Sequence, residues 1–200
     1  MNAMEIVLAT RNKKKIEEIR RILDGLNISL LTLDDFPSCP EVDENADTFE
    51  GNAIKKAVEI AQCTGKAAVS DDSGIEVYAL DGAPGVKSAR YAGDQSDDFA
   101  NNEKLLNELA GIAYESRGAR FICIIAIALP DGKIQTFQGI VEGHVGKKPV
   151  GTMGFGYDPL FYPKGLDMTL GQMSPEEKDS LSHRRDALEK LKTYLKSLSL

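Results

Sequence analysis

The chain has 200 residues, of which 42% are hydrophobic and 28% are charged, and its formal net charge is −7 at pH 7. A chain of this size and composition can bury a core of its own, so we expect a single domain over residues 1–200. The acidic charge excludes a general nucleic-acid binder, because such proteins present a basic face to the phosphate backbone.

No segment approaches the ~18 apolar residues of a membrane-spanning helix, and the amino terminus lacks a basic start followed by a long apolar run. We therefore expect a cytoplasmic protein without a membrane partner. Cys39, Cys63 and Cys123 are odd in number and share no metal-ligand spacing, so we expect three reduced, structural thiols.

The first elements are a buried strand at residues 6–9 and a helix with an apolar face that begins at Ile16. The polar turn between them consists of Thr10, Arg11, Asn12, Lys13, Lys14 and Lys15. Such a turn can bind a phosphate, because free backbone N–H groups and the helix dipole favour an anion there. It is not a Walker loop, since the glycines are absent. The alternative is a solvated helix start, although three lysines at the positive end of a dipole favour a nearby anion.

The next segment joins a predicted strand at residues 28–33 to a helix that begins near Thr48, with Asp47 or Thr48 as its cap. Its acidic residues resemble a calcium loop only superficially, because the sixth position is Thr48 and the twelfth is Ile54 instead of glycine and glutamate. Asp43 and Glu44 precede the helix. They either complement its dipole or supply a carboxylate to a metal site.

The stretch at residues 67–77, AAVSDDSGIEV, contains a β-leaning apolar run that ends in two carboxylates, a hydroxyl and a glycine: Asp71, Asp72, Ser73 and Gly74. We expect a buried strand whose carboxyl end opens into a site. Adjacent carboxylates repel each other unless a cation lies between them, and oxygen ligands favour Mg²⁺, with Mn²⁺ as a substitute. A solvated Asp-Asp-Ser-Gly turn is the alternative.

A glycine- and proline-rich loop at residues 80–93 is either a surface connection or a part of the site, with Arg90 reaching a phosphate. Beyond it, Phe99 and Leu105 mark a helix. Two apolar or alternating runs at residues 119–129 and 133–145 follow, joined by a Pro-Asp-Gly hairpin signal. Paired strands here make the predicted sheet mixed.

Residues 151–159 read GTMGFGYDP. Gly154 and Gly156 lack the third glycine of a dinucleotide fingerprint, and Pro159 prevents the usual helix start. An aromatic ring beside flexible backbone suits stacking on a planar base, whose edge backbone groups or a carboxylate can then read. This segment is therefore the candidate base-binding loop.

The last element is an amphipathic helix that begins after Ser182 and turns apolar side chains inward at Ala187, Leu188, Leu191, Tyr194 and Leu195. His183 lies at its start, where capping or packing is the alternative to a ligand role. His144, in the second of the paired strands, is expected to be structural.

Six segments, taken in order, resemble the Ham1/RdgB family, the inosine and xanthosine triphosphate pyrophosphatases. They are TRNKKK at 10–15, TFEGNAIKKA at 48–57, SDDSG at 70–74, GAPGVKSARYAG at 82–93, GFGYDP at 154–159 and SHR at 182–184. The resemblance implies a homodimeric α/β enzyme with an elongated mixed central sheet, flanking helices and a cleft between two lobes. It also implies hydrolysis of non-standard purine nucleoside triphosphates (ITP, dITP, XTP) to the monophosphate and pyrophosphate, which removes deaminated purines.

The resemblance implies a role for each matching residue. Asp72 is implied as general base and metal ligand, and the pair Asp43 and Glu44 as the remaining metal carboxylate, with Glu44 favoured. The residues implied to contact the substrate are Thr10, Arg11, Asn12, Lys13, Lys14, Lys15, Lys56, Ser73, Phe155, Gly156, Tyr157, Asp158, Lys178, His183 and Arg184. Two features depart from the family pattern: the extra charge of Lys13 and Lys14, and Met153 where glycine is frequent.

Two rival classes remain open from the sequence. A phosphatase of the haloacid-dehalogenase type needs Asp-x-Asp-x-Thr after its first strand, where this chain has Thr10, Arg11 and Asn12. A nucleotide sensor would use the same phosphate and base pockets without needing clustered carboxylates.

Overall fold

The computed structural model describes residues 3–93 and 97–198. The strands are β1 Met4–Leu8, β2 Ile28–Thr32, β3 Ala67–Val77, β4 Gly118–Ala128, β5 Ile134–Val145 and β6 Phe161–Pro163. The helices are α1 Lys13–Leu23, α2 Phe49–Thr64, α3 Asp98–Glu108, α4 Pro175–Leu181 and α5 His183–Leu198. None of the helices in these residues is long and apolar enough to cross a membrane.

The strands form one six-stranded sheet in the order β2-β1-β3-β4-β5-β6. β1 is parallel to β2 and to β3, whereas β5 is antiparallel to β6. The predicted hairpin is present, since β4 and β5 are neighbours and the Leu129 amide donates to the Lys133 carbonyl at 2.8 Å across the turn. The prediction of an α/β fold with a mixed sheet is therefore confirmed.

The chain divides into two compact units. Unit 1 comprises Met1–Asp72, Cys123–Gly139 and Arg184–Leu200, and unit 2 comprises Ser73–Ile122 and Ile140–His183. In unit 1, α1 and α5 bury the apolar faces that the sequence predicted, with Ile19 and Leu188 packed in the same cluster as Leu8 of β1. Burial of each such side chain contributes about 1.5–3 kcal/mol.

Unit 2 has a core of its own. Leu105 of α3, Phe161 of β6 and Ile75 are fully buried in one cluster. The guanidinium of Arg117 is also buried there, and it donates to the carbonyl oxygens of Ile112, Gly146 and Leu109 at 2.8–3.1 Å. Because a buried donor without an acceptor is costly, these three bonds allow the charge to be buried and tie the segment after α3 to the end of β5.

One sequence prediction about β3 is wrong. The strand does not end at Asp71 but runs through both carboxylates to Val77, and nearly all of its residues are buried. Asp71 and Asp72 therefore point to opposite faces in the middle of a strand, since successive side chains alternate. The local Asp-Asp-Ser-Gly sequence favours a turn, but ion pairs on both faces of the strand override that preference.

The prediction of three reduced cysteines is also wrong. Cys39 and Cys63 form a disulfide with their Cα atoms 5.9 Å apart, whereas Cys123 is a buried free thiol. The sequence offered no spacing that paired them, because residue 39 lies in the loop before α2 and residue 63 in its last turn. The bond ties that loop to the helix.

Candidate functional site

The polar turn after β1 is brought to β3 by the parallel register of the two strands. Leu8 lies opposite Val69, and the Ala9 amide donates to the Val69 carbonyl at 2.7 Å. Asn12 caps α1, because its Oδ1 accepts from the backbone amides of the second and third helical residues at 3.0 and 3.3 Å. Lys15 is the third residue of α1, and its ammonium lies 3.0 Å from Asp71 Oδ2.

The other cations of this turn are more exposed. Arg11, Lys13 and Lys14 all face solvent. Arg11 lies 3.9 Å from the exposed carboxylate of Asp34, and such surface pairs contribute little. The turn therefore contains one lysine fixed on a buried carboxylate and three cations on its outer side.

Lys56, on the buried face of α2, is the centre of a second cluster in unit 1. Its ammonium donates to Glu44 Oε1 and to the Asp71 carbonyl, both at 2.7 Å. Asp72 Oδ1 lies 3.4 Å from the same nitrogen. Burial by itself would lower the pKa of Lys56, but the three neighbouring carboxylates outweigh burial and raise it. The group therefore stays cationic.

Asn52, one helical turn before Lys56, also holds Asp72. Its amide Nδ2 donates to Asp72 Oδ2 at 3.2 Å, and its Oδ1 accepts from the Ala46 amide at 2.9 Å. Asn52 is not among the site residues predicted from the sequence. The available signal was a polar side chain four positions before Lys56 within TFEGNAIKKA, on the same helix face.

Arg184 lies in the core of unit 1. Its Nε and one terminal nitrogen contact Asp71 Oδ2 at 3.3 and 3.2 Å, and its other terminal nitrogen pairs with Glu18. Only 1% of the residue is exposed. The structure thus places Arg184 behind Asp71 as a buried counter-charge, and its implied contact with the base stays a prediction.

The two adjacent carboxylates have opposite environments. For Asp71, burial would raise the pKa, but Lys15 and Arg184 outweigh burial and hold the pKa well below its ordinary value. For Asp72, burial raises the pKa, and Lys56 only partly offsets this. Asp71 is therefore a fixed anion, whereas Asp72 is the carboxylate that accepts a proton more readily. Ser73 follows in β3 and is partly exposed.

The carboxylates of Glu44 and Asp72 fit a divalent metal in one respect, because they already converge on a single cation, the ammonium of Lys56. Oxygen donors of this kind suit Mg²⁺. The Asp43 carboxylate instead accepts from Asn45 Nδ2 at 3.1 Å, and its implied part in a metal site stays a prediction. Across residues 3–93 and 97–198, no three His, Cys, Asp or Glu side chains group as a metal site. Mg²⁺ held by two carboxylates would take its other ligands from water and phosphate.

The candidate base-binding residues lie in unit 2. Asp158 organises them: its Oδ2 accepts from the Phe155 amide at 2.8 Å and from the Lys178 ammonium at 2.7 Å. The same ammonium lies 4.5 Å from the centre of the Phe155 ring, a cation–π distance. Residue 154 must be glycine, because a Cβ there would lie 2.1 Å from Asp158 Oδ2.

Two other predicted base contacts are held in the core of unit 2. The Tyr157 side chain is buried, and its hydroxyl donates to the Ser88 carbonyl at 2.8 Å. His183 is buried and stacks on Phe121, with the ring centres 4.8 Å apart and an interplanar angle of 9°. This matches the packing alternative for His183, and its implied contact with substrate stays a prediction. His144 stacks on Tyr162 and bonds Tyr114, as expected of a structural residue.

The sequence is similar to those of known proteins along nearly its whole length. The sequence profile of the Ham1 family matches residues 6–194. A dITP/XTP pyrophosphatase of Geobacter sulfurreducens is 52% identical over 190 residues, which cover 95% of this chain and 96% of that protein. A dITP/XTP pyrophosphatase of Bacillus subtilis is 44% identical over 193 residues, covering 96% and 98%.

Solved structures give the same result. The Ham1 protein of Staphylococcus aureus superimposes with a TM-score of 0.87 at 41% identity, covering 96% of this chain and 98% of that one. A HAM1 protein of Coxiella burnetii superimposes with a TM-score of 0.89 at 39% identity, covering 97% and 99%. The chain therefore belongs to the Ham1 family.

Proposed function

We propose that this chain hydrolyses non-standard purine nucleoside triphosphates, namely ITP, dITP and XTP, to the nucleoside monophosphate and pyrophosphate. Its membership of the Ham1 family and its relatives named dITP/XTP pyrophosphatases support this. The observation that carries the proposal is the group around Lys56, where one buried ammonium meets Glu44 and Asp72 beside the Asp71 and Lys15 pair. This reaction needs cations that bind the phosphates. It also needs carboxylates that bind a metal and orient a water.

The triphosphate is assigned to residues of unit 1. Lys15 and Lys56 present ammonium groups, and the turn capped by Asn12 presents the amino end of α1, which favours an anion. The exposed cations at positions 11, 13 and 14 add positive charge. In the reaction, these groups neutralise the charge that develops on the leaving pyrophosphate.

We propose that Asp72 orients and deprotonates the attacking water. The water oxygen forms a bond to the α-phosphorus, its proton passes to the Asp72 carboxylate, and the bond from the α-phosphorus to the bridging oxygen breaks to release pyrophosphate. Asn52 and Lys56 hold the two oxygens of Asp72 from one side of α2, which fixes the carboxylate for this task.

We propose Mg²⁺, with Mn²⁺ as a substitute, as the metal, and Glu44 and Asp72 rather than Asp43 as its protein ligands. A bound Mg²⁺ would polarise phosphate oxygens and neutralise their charge. The convergence of the two carboxylates on one ammonium supports this choice, since it gathers negative charge where a cation is stabilised.

We assign the purine base to Phe155, Asp158 and Lys178 of unit 2. His183, two residues after the end of α4, is assigned to the same group. Hypoxanthine and xanthine present a 6-oxo acceptor where adenine presents an amino donor. A site with cationic donors would leave a donor unpaired against ATP, so we expect ITP and XTP to be preferred by at least ~100-fold in kcat/KM.

Product analysis tests the proposal. The protein is incubated with dITP, XTP or ATP and Mg²⁺, and pyrophosphate and inorganic phosphate are measured separately. Pyrophosphate from dITP and XTP, with little from ATP, is the expected result. Inorganic phosphate alone would indicate a phosphatase, tight binding without turnover would indicate a sensor, and equal rates with ATP would overturn the base assignment.

We further propose that residues 1–200 act as one ITPase-like domain, which assembles as a homodimer in the cytoplasm and binds neither nucleic acid nor membrane. The family resemblance, the small-molecule substrate and the net charge of −7 support this. Light scattering during gel filtration tests the assembly. Twice the mass of one chain is expected, and the mass of a single chain would contradict the dimer.

A further inference from the structure

Helix α3 holds the candidate base-binding loop through a single glycine. The Gly156 amide donates to Asp98 Oδ2 at 2.7 Å, and the Asn102 amide Nδ2 donates to the Gly156 carbonyl at 3.0 Å. Asp98 and Asn102 are one helical turn apart, so both project from the same face of α3. Both backbone hydrogen-bonding groups of Gly156 are therefore fixed by one helix.

The loop needs such a restraint. Gly154 and Gly156 both have left-handed backbone angles, with φ of 75° and 60°, and glycine is the residue with the greatest backbone freedom. Phe155 lies between them, so the direction of its ring depends on the backbone conformation of two flexible glycines. On the amino side of Phe155, its own backbone amide already donates to Asp158 Oδ2 at 2.8 Å. The bonds from α3 to Gly156 fix the backbone on the carboxyl side.

These bonds also determine which groups remain for reading the base. The amide of Gly156 is occupied by Asp98, its carbonyl by Asn102, and the amide of Phe155 by Asp158. The backbone of these two residues is therefore used to hold the loop. Recognition then rests on the Phe155 ring and on the ammonium of Lys178, which lies over one face of that ring.

We propose that Asp98 and Asn102 are positioning residues for base binding. They touch neither substrate nor metal, and act by preorganising the Phe155 ring through Gly156. This inference rests on the proposed function, since it takes Phe155 to be the surface on which the purine stacks. Loss of preorganisation weakens binding of the base without changing the chemical step, so KM should rise while kcat stays the same.

The chemistry of the two side chains suggests clean substitutions. Asp98 is exposed, so its replacement disturbs no core. In Asp98→Ala the Gly156 amide loses its acceptor, whereas Asp98→Asn retains a carbonyl oxygen that can accept the same bond. Asn102 is buried, and within the described residues its Oδ1 has no hydrogen-bond partner, so Asn102→Leu removes only the bond to Gly156 at similar volume.

The experiment compares a ligand that has a base with one that lacks it. The steady-state kinetics of dITP hydrolysis are measured for each variant, together with the inhibition constant of inorganic tripolyphosphate, which can use only the phosphate-binding residues. We expect Asp98→Ala and Asn102→Leu to raise the KM for dITP about tenfold, the effect of one lost hydrogen bond, with kcat and the tripolyphosphate constant within about twofold of wild type. Asp98→Asn should recover most of the wild-type KM.

Asp97→Ala is the matched control. Asp97 caps α3 by accepting from the amides of residues 99 and 100, but it makes no bond to Gly156. This variant should lower the melting temperature without raising KM. An equal rise of KM in Asp97→Ala, or an unchanged KM in Asp98→Ala and Asn102→Leu, would overturn the inference. If wild-type protein does not hydrolyse dITP at all, the proposed function fails instead.

Discussion

The side-chain amide of Asn52 donates a hydrogen bond to Oδ2 of Asp72 at 3.2 Å. The other oxygen of that carboxylate faces the ammonium of Lys56 at 3.4 Å, so the two oxygens of Asp72 are held by residues one helical turn apart on α2. Asn52 also accepts the amide of Ala46, in the loop that carries Glu44. One amide therefore links the proposed base to the loop of the proposed metal ligand.

Replacing Asn52 should lower activity, although this residue is assigned no contact with the substrate. Asn52→Leu keeps the volume but frees Asp72 Oδ2 and leaves the Ala46 amide without an acceptor. We expect kcat for dITP to fall on the order of tenfold or more, as for other groups that orient a ligating carboxylate. The free energy of unfolding should fall by about 1–3 kcal/mol. Asn45→Ala, which removes an exposed amide from the same loop, is the control, and an unchanged kcat in Asn52→Leu would remove Asn52 from the site.

Replacing Arg184 should lower the free energy of unfolding, because its charge is buried among carboxylates. Arg184→Met would remove the guanidinium that pairs with Glu18 and one of the two cations that pair with Asp71, the other being Lys15, and breaking a buried pair in this way costs about 3–5 kcal/mol. Its neighbour provides the control, because Arg185 pairs with Glu189 at the surface and Arg185→Met should cost less than about 1 kcal/mol. Urea unfolding of both variants without nucleotide measures the difference. Equal stabilities would show that the Arg184 network contributes little.

Cys123 gives a prediction for alkaline pH. Burial raises the pKa of this thiol from its ordinary value of 9.0 to about 12. Between these values the folded chain keeps the proton that the unfolded chain releases, so stability is full below about pH 9 and falls as pH rises, by up to about 1.4 kcal/mol per unit. Cys123→Ala loses packing at every pH, but its free energy of unfolding lacks the fall with pH that the thiol causes. The stability difference between wild type and Cys123→Ala should therefore narrow from pH ~8.5 to pH ~10.5, and a constant difference would contradict the raised pKa.

Local features of the sequence predicted much of the fold. Period and capping placed α1, α2 and α5, and Thr48 does cap α2, since its hydroxyl accepts from the Gly51 amide. The capping box formed by Ser174 and Glu177 is an equally local signal, but no helix was predicted from it, so α4 was missed. In each of these cases, the residues that decide the structure lie within one turn of one another.

What sequence reasoning missed depends on partners far apart in the chain. Arg184 and Asp71 are 113 residues apart, and nothing local indicates that the cation next to His183 belongs behind β3. The same holds for the Cys39 and Cys63 disulfide and for the extension of β3 through two carboxylates, which requires cations from α1, α2 and α5. Spacing identifies residue types that suit a phosphate or a metal, but only tertiary contacts show which carboxylate is fixed and which can act.

Asp72→Asn tests the central claim most directly, because it keeps the size of the side chain and removes the charge that would accept a proton and bind a metal. Single-turnover and steady-state hydrolysis of dITP with Mg²⁺ are measured beside Asp47→Asn, an exposed carboxylate just before α2. We expect Asp72→Asn to remain folded, with stability unchanged or slightly raised without Mg²⁺, to bind dITP, and to lose a factor on the order of 10² or more in kcat, while Asp47→Asn behaves as wild type. Near-normal pyrophosphate release by Asp72→Asn would contradict the account, since the carboxylate that Lys56 and Asn52 hold could then not be the base.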